Sequence, residues 1–385
     1  MIAYNRQSLD NLHLQKEARE AFEKKILTAE EVDRIHAAYP YHFYLPNFFI
    51  RIGLFALTVI AAACGLGIFL LMGLDSSSGI TATLIIYGIM AYYALELFVC
   101  KQKMYGSGVD DALLWIASTL IFEGINFSGS NSLSPTLESA LICILALIGM
   151  LRYADRVMTL VAYGELLLCV YYLVSAWGPA ARAILPFMIM AISIGCYFWF
   201  TTLHAKTSLR RYRSNFMLLR GATLVSLYLS GNYFVLHELN TAVAGNPAPV
   251  TLGWLWWLFT AAIPVFYIAK GLQKKEVLFL WTGMALVAGS ISTFRYYYHV
   301  LPGELAMIIA GIVLIAGVYG LTRYLRTPRM GFTAAAPDYP HLLENLPVEG
   351  LIIAESFNSI AVQPADTGVH FGGGTTGGGG AGGQY

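Results

Sequence analysis

The run FFIRIGLFALTVIAAACGLGIFLLMGL, residues 48–74, decides the fold class. A helix rises about 1.5 Å per residue, so about 20 apolar residues cross the hydrocarbon core of a bilayer. This run is long enough to do so, and too long for the apolar region of a cleavable signal peptide. The 47 residues before it are polar and helical in pattern, so it reads as an uncleaved signal anchor.

The composition of the whole chain agrees. Hydrophobic residues make up 57% of the 385 and charged residues 12%, against about 45–50% and about a quarter in soluble proteins. Mean hydropathy is +0.60. That is too little charge to clothe soluble domains, and disordered chains are poor in apolar residues. The net charge of +1 excludes a broad nucleic-acid footprint, which needs a strongly basic face. The expected fold is all-α, a polytopic helical bundle in a lipid bilayer.

From residue 48 to about 325 the apolar runs predict ten spans: 48–74, 79–99, 110–128, 136–153, 156–177, 180–203, 216–236, 252–269, 277–298 and 304–325. The third and fourth are short, with acidic residues near their starts. Lys and Arg favour cytosolic loops. With the N-terminus inside, all of the 24 Lys and Arg except Arg182 and Arg295 fall on the cytosolic side or at adjoining helix ends. Both termini are therefore expected in the cytosol. Trp254, Trp256 and Trp257, and separately Tyr296, Tyr297 and Tyr298, cluster at outer helix ends. They are read as interfacial anchors, or alternatively as a stacking platform.

Residues 1–47 read as a cytosolic helical hairpin. Leu9, Leu12, Ala18, Phe22 and Ile26 recur at helical spacing. Thr28 and Glu31 then form the signature of a capping box, Val32, Ile35 and Ala38 give the second helix its stripe, and Pro40 stops it. A hairpin of this size needs a surface to pack on, either the membrane face or a partner. Residues 326–385 form a cytosolic tail, with two short apolar stretches at 350–354 and 359–362. Its Gly-rich end, 371–385, is expected to be disordered.

Ionisable groups within the spans are the candidates for function, because each is costly in lipid unless paired or hydrated. Glu165 is the deepest, about 13 Å into its helix by helical rise. It could couple to a proton or cation, or hydrogen-bond across helices as a neutral packing group. Glu123 lies at a depth similar to Arg182 and Arg295 and is expected to pair with one of them. Glu96 is expected to snorkel to Lys101 or Lys103, and Arg220 to the surface. Asp110 and Asp111 open the third span, where a helix N-terminus favours negative charge. Lys206, Arg210, Arg211 and Arg213 make the densest basic patch and are candidates for contact with anionic lipid, or only for setting topology.

Chemistry beyond this finds no support in the sequence. The G-S-G-V-D-D stretch has the wrong spacing for an intramembrane aspartyl protease, and His237-Glu238 lacks the second His of a zincin. Ser230-Gly231 lacks the glycine and the intramembrane His of a rhomboid-type nucleophile. No P-loop, kinase motif or metal-ligand cluster is present, so neither enzyme activity, metal nor cofactor is expected. The five cysteines, Cys64, Cys100, Cys143, Cys169 and Cys196, lie in or beside apolar runs and read as buried thiols.

The head and first span, K-K-I-L-T-A-E-E-V-D-R-I-H through F-F-I-R-I-G-L-F-A-L, resemble an uncharacterised group of bacterial predicted membrane proteins. Those proteins combine a cytosolic helical hairpin with eight or more membrane helices. Lys25-Ile26 stands here where that group has a glycine before the hairpin turn. The Gly-rich end with its final Tyr385 is similar to tails of other bacterial membrane proteins. The resemblance implies a location in the bacterial inner membrane and carries no activity.

Two functional expectations follow. The first is a non-enzymatic scaffold or accessory subunit that engages a protein partner through its head and tail. The second is a secondary transporter of two inverted five-helix repeats, residues 48–178 and 179–325, with Glu165 as its coupling carboxylate.

Overall fold

In lipid every backbone N–H and C=O must be satisfied within its own segment, which for runs such as these means helices. The computed structural model describes residues 2–23, 26–73, 77–127, 133–244 and 252–298, with single positions 312, 315, 319, 320 and 323. These residues form twelve α-helices. The head holds α1 (Arg6–Glu23) and α2 (Ala29–Ala38). The bundle holds α3 (Phe48–Gly73), α4 (Ser77–Cys100), α5 (Val109–Asn126), α6 (Pro135–Tyr153), α7 (Arg156–Ser175) and α8 (Pro179–Ala205). After a 3-10 turn (Thr207–Tyr212) come α9 (Arg213–Gly231), α10 (Tyr233–Ala244), α11 (Gly253–Lys274) and α12 (Val277–Tyr297).

Seven of these, α3, α4, α6, α7, α8, α11 and α12, are long and apolar enough to cross a membrane. The chain is a multi-pass helical membrane protein. The expected spans at 110–128 and 216–236 differ in kind from the seven. α5 carries Asp110, Asp111 and Glu123, and α9 carries Arg213, Asn215 and Arg220. Both are enclosed by neighbours, α5 by α3, α4 and α6, and α9 by α7, α8, α11 and α12. A helix that faces protein on most sides has less need of apolar residues than one facing lipid. The tenth expected span, 304–325, lies outside the described residues apart from isolated positions, and the tail 326–385 lies outside them entirely.

The expected span 216–236 is also interrupted. α9 stops at Gly231 and α10 begins at Tyr233. Asn232 makes the break by capping α10: its Oδ1 accepts the Val235 N–H (3.2 Å), while its Nδ2 donates to the Tyr228 hydroxyl (2.8 Å) and to Thr293 Oγ1 (3.1 Å). Pro264, inside α11, leaves the Thr260 carbonyl without its usual helical donor. The Ser290 hydroxyl of α12 donates to that carbonyl (2.5 Å).

The closest packing is between consecutive helices: α4 with α5, α6 with α7, α8 with α9, and α11 with α12. Glycines set two of these contacts. A Cβ on Gly88 would lie 3.2 Å from the Ile121 backbone N, and one on Gly124 would lie 3.2 Å from the Ile85 backbone N. Gly271 and Gly283 do the same between α11 and α12. Gly289 of α12 faces the Tyr228 ring of α9. Each of the four hairpins turns at the same end of the bundle, and the head lies there too.

Candidate functional site

Five of the six ion pairs among the described residues gather at that end, in and around the four turns. Gly106 and Gly108 have positive φ, which lets the 105–109 turn wrap the Asp110 carboxylate. Asp110 Oδ1 accepts the Ser107 N–H (2.8 Å) and hydroxyl (3.0 Å), and Oδ2 accepts the Gly106 N–H (2.7 Å). Asp111 pairs with Arg51 of α3 at 2.5 Å. The two aspartates thus do more than favour a helix N-terminus: one builds the turn and the other fixes α3 to α5.

The head is seated on this turn. The Tyr4 hydroxyl donates to Asp110 Oδ2 (3.2 Å), and burial, followed by the Asp110 charge, pushes its phenol well above the ordinary range, so it stays a donor. The Tyr4 ring meets Tyr105, Phe43 and Tyr153 edge-on. The Ala3 N–H donates to the Arg152 carbonyl (2.7 Å). Leu9 and Leu12 of α1, 1% and 2% exposed, enter one core with Leu95 and Val99 of α4 and with residues of α5, α6 and α7. Full burial of a Leu contributes about 1.5–3 kcal/mol. Of the hairpin expected to pack on a membrane face or a partner, α1 packs on its own bundle.

Further along α1 the head reaches the 3-10 turn. Asp10 pairs with Arg211 at 2.7 Å, Glu17 with Arg210 at 2.6 Å, and the Tyr212 hydroxyl donates to the Leu151 carbonyl (2.5 Å). Of the four residues expected to contact anionic lipid, Arg210 and Arg211 are thus held by carboxylates of the head, while Lys206 and Arg213 are exposed with no ion pair among the described residues. The Arg211 guanidinium holds the Asp10 carboxyl below its usual range. Burial, then the charges of Lys16 and Arg210, push the His13 imidazole down. Both shifts have the same sign for docking. The His13 contribution is lost as pH falls through the ordinary imidazole value, and the Asp10 contribution at lower pH, through its depressed value.

The other turns are tied in similarly. Asn215 Nδ2 donates to the Ala154 carbonyl (3.0 Å), the Asp155 carbonyl (3.0 Å) and Thr159 Oγ1 (2.6 Å), which binds α9 to the α6–α7 turn. Glu96 accepts from Arg152 Nε (2.6 Å) and the Tyr153 hydroxyl (2.5 Å). It does not snorkel to Lys101 or Lys103, because its carboxylate is taken up by these two donors of α6. Arg220 likewise does not snorkel: it pairs with Glu276 and donates to the Tyr197 hydroxyl (3.1 Å).

The deep candidates are not brought together. Glu123 and Arg295 are exposed and form no ion pair with one another. The Arg182 side chain lies outside the described residues. Glu165 is half-buried on α7 and has no hydrogen-bond partner among the described residues. The hydroxyls of Tyr163, Ser193 and Ser226 join α7, α8 and α9 instead, with Tyr163 to Ser226 at 2.7 Å and Ser193 to Ser226 at 2.8 Å. The Trp and Tyr clusters meet: Trp257 stacks on Tyr233 (4.8 Å) and touches Tyr297 and Tyr298. Trp256 is buried against Phe187 and only Trp254 of the three tryptophans stands exposed, as an interfacial anchor does.

Comparison with protein families, with curated proteins and with solved structures finds no match.

Proposed function

We propose that this is a bacterial inner-membrane protein of ten spans, with head and tail in the cytoplasm, acting as a non-enzymatic scaffold or accessory subunit for a protein partner. One observation carries the reading: the head is fastened to the bundle through α1 and leaves α2 free. α2 has no buried residue, and its Glu30, Glu31, Asp33, Arg34 and His36 all face outward. Among the described residues it is supported by α1, where Val32 and Ile35 are half-buried against it, and the Asn11 and Gln15 amides donate to the Pro40 and Tyr39 carbonyls (2.7 Å each). A capping box of Thr28 and Glu31 fixes its start. A charged helix held at a constant height above a membrane is suited to presenting a surface. The distribution of Lys and Arg supports cytoplasmic placement, since most of them fall in the head and around the four turns.

The transporter reading has less behind it. In two inverted five-helix repeats, α3–α7 would correspond to α8, α9, α11, α12 and the tenth span. Close pairs would then recur at matching ordinal positions. They fall on the second and third, and fourth and fifth helices of the first set, but on the first and second, and third and fourth of the next.

A photo-crosslinking amino acid at Arg34, in cells at native expression, tests the proposal against Leu12 as a buried control. The expected result is one protein adduct from position 34, absent from position 12, whose species co-purifies in fixed ratio. No adduct from position 34, together with ion-coupled flux in proteoliposomes abolished by Glu165→Gln, would reverse the order of the two readings.

A further inference from the structure

The head, the segment leading into α3 and the end of α4 meet around a cavity of about 290 Å³. Asn5 and Ser8 line it from the head, His42 and Phe43 from the segment before α3, and Cys100 and Lys103 from the end of α4 and the turn after it. Bonds outside the cavity fix its walls. The Tyr44 N–H donates to the Lys103 carbonyl (3.1 Å), the Tyr105 N–H to the Tyr44 carbonyl (3.4 Å), and the Tyr4 ring meets Phe43 edge-on. Within this frame Lys103 has φ +54°, a left-handed conformation in which glycine is unstrained and a residue with a side chain is not.

The lining is basic. Among the described residues no carboxylate lines the cavity, and neither Lys103 nor His42 forms an ion pair. The carboxylates that touch lining residues are already taken. Glu96 accepts the Cys100 thiol but pairs with Arg152, and Asp110 accepts the Tyr4 hydroxyl but is wrapped by its own turn. Asn5 Oδ1 accepts the Ser8 N–H (3.1 Å), which leaves the Asn5 amide nitrogen as a donor.

We propose that this cavity binds a phosphate group. An ammonium, an imidazole, a hydroxyl and an amide supply donors from three segments of the chain. Hydrogen bonds to an ionised oxygen are about twice as strong as neutral ones. A cation would meet Lys103 with no counter-charge, and an apolar group would strand the donors away from water. Cys100 is also the last residue of α4, one of the seven helices able to cross the membrane. The cavity therefore stands where headgroups begin, and basic pockets at that depth take lipid phosphates. A phosphate free in solution offers the same oxygens. Either would tie the head to α4 and to the entry of α3, whatever α2 presents.

Lys103→Gly removes the charge and relaxes the left-handed backbone, so lost binding would not reflect lost folding. Lys101→Gln removes an equal charge two residues away, outside the lining. The full-length protein is purified in a maltoside detergent, which carries no phosphate, and hydrogen exchange of residues 3–12 is followed. One arm adds inorganic phosphate against chloride at matched ionic strength, and the other adds phosphatidylglycerol to the micelles. Exchange is expected to slow several-fold in at least one arm: with inorganic phosphate if the source is soluble, with the lipid alone if it is a headgroup. Lys103→Gly should abolish the slowing while thermal unfolding stays at or above that of the parent. His42→Gln, on an exposed residue, should reduce it, and Lys101→Gln should preserve it. No slowing in either arm would overturn the site. So would slowing that survives in Lys103→Gly, or that Lys101→Gln removes to the same degree, as a diffuse basic surface requires.

Discussion

Gly108→Val is expected to lower stability by about 3 kcal/mol or more, at the upper end of single substitutions, and to deplete the protein from membranes. Two costs combine. Gly108 has φ +89°, a region where a side chain costs about 1–2 kcal/mol. A Cβ there would also stand 2.3 Å from the Arg51 carbonyl oxygen. That oxygen belongs to the backbone of α3 and cannot swing aside as a flexible side chain would. Making room separates α3 from α5, pulls Arg51 from Asp111 and disturbs the turn on which Tyr4 sits. Gly178→Ala is the control, since Gly178 has φ +101° but open space around it, so only backbone strain is introduced. Thermal unfolding in nanodiscs should separate the two. Equal losses would mean that the approach of α3 to the turn has no energetic weight.

The second large effect is expected at Gly124. A Cβ there would lie 2.5 Å from Ile85 Cγ1 and 3.2 Å from the Ile85 backbone N, and Gly88 stands in the reciprocal position against Ile121. Gly124→Val forces the α4–α5 pair apart, and overpacking of this kind costs about 1–3 kcal/mol. The two glycines serve one contact, so Gly88→Val and Gly124→Val together should cost less than the sum of each alone. The same unfolding experiment on both single variants and the double variant reads this directly. Strict additivity would indicate that the helices do not meet at these positions.

The reading of the chain as a membrane bundle was available from its apolar runs, because a run such as 48–74 leaves the backbone few alternatives in lipid. The capping box at Thr28 was equally local, needing only residues three apart. The Glu96–Arg152 and Arg220–Glu276 pairs were not legible, because their partners are more than fifty residues apart and which helices adjoin is a tertiary fact. The only cue was a charge near the end of an apolar run, and that cue fits snorkelling equally well. The break at Asn232 was hidden for a related reason. Ser230-Gly231-Asn232 is a short polar break between apolar stretches on either side, which a membrane helix can span, and the partners that stabilise the interruption include Thr293, on another helix. Depth along a helix singled out Glu165 but could not reveal that Tyr163, two residues away, holds the hydrogen-bonded junction with α8 and α9.

That α1 is part of the bundle, and α2 the surface it carries, is tested most directly by hydrogen exchange of the head in nanodiscs, followed by mass spectrometry. The amides of residues 6–18 are expected to be protected at neutral pH to the degree of α5, and α2 less so. Protection in α1 should weaken below the ordinary imidazole pKa, after correction for intrinsic rates, as His13 gains a proton beside Lys16 and Arg210. Exchange of residues 6–18 at the rate of an unstructured peptide at neutral pH would contradict the docked head, and with it the proposal that the protein presents α2 to a partner.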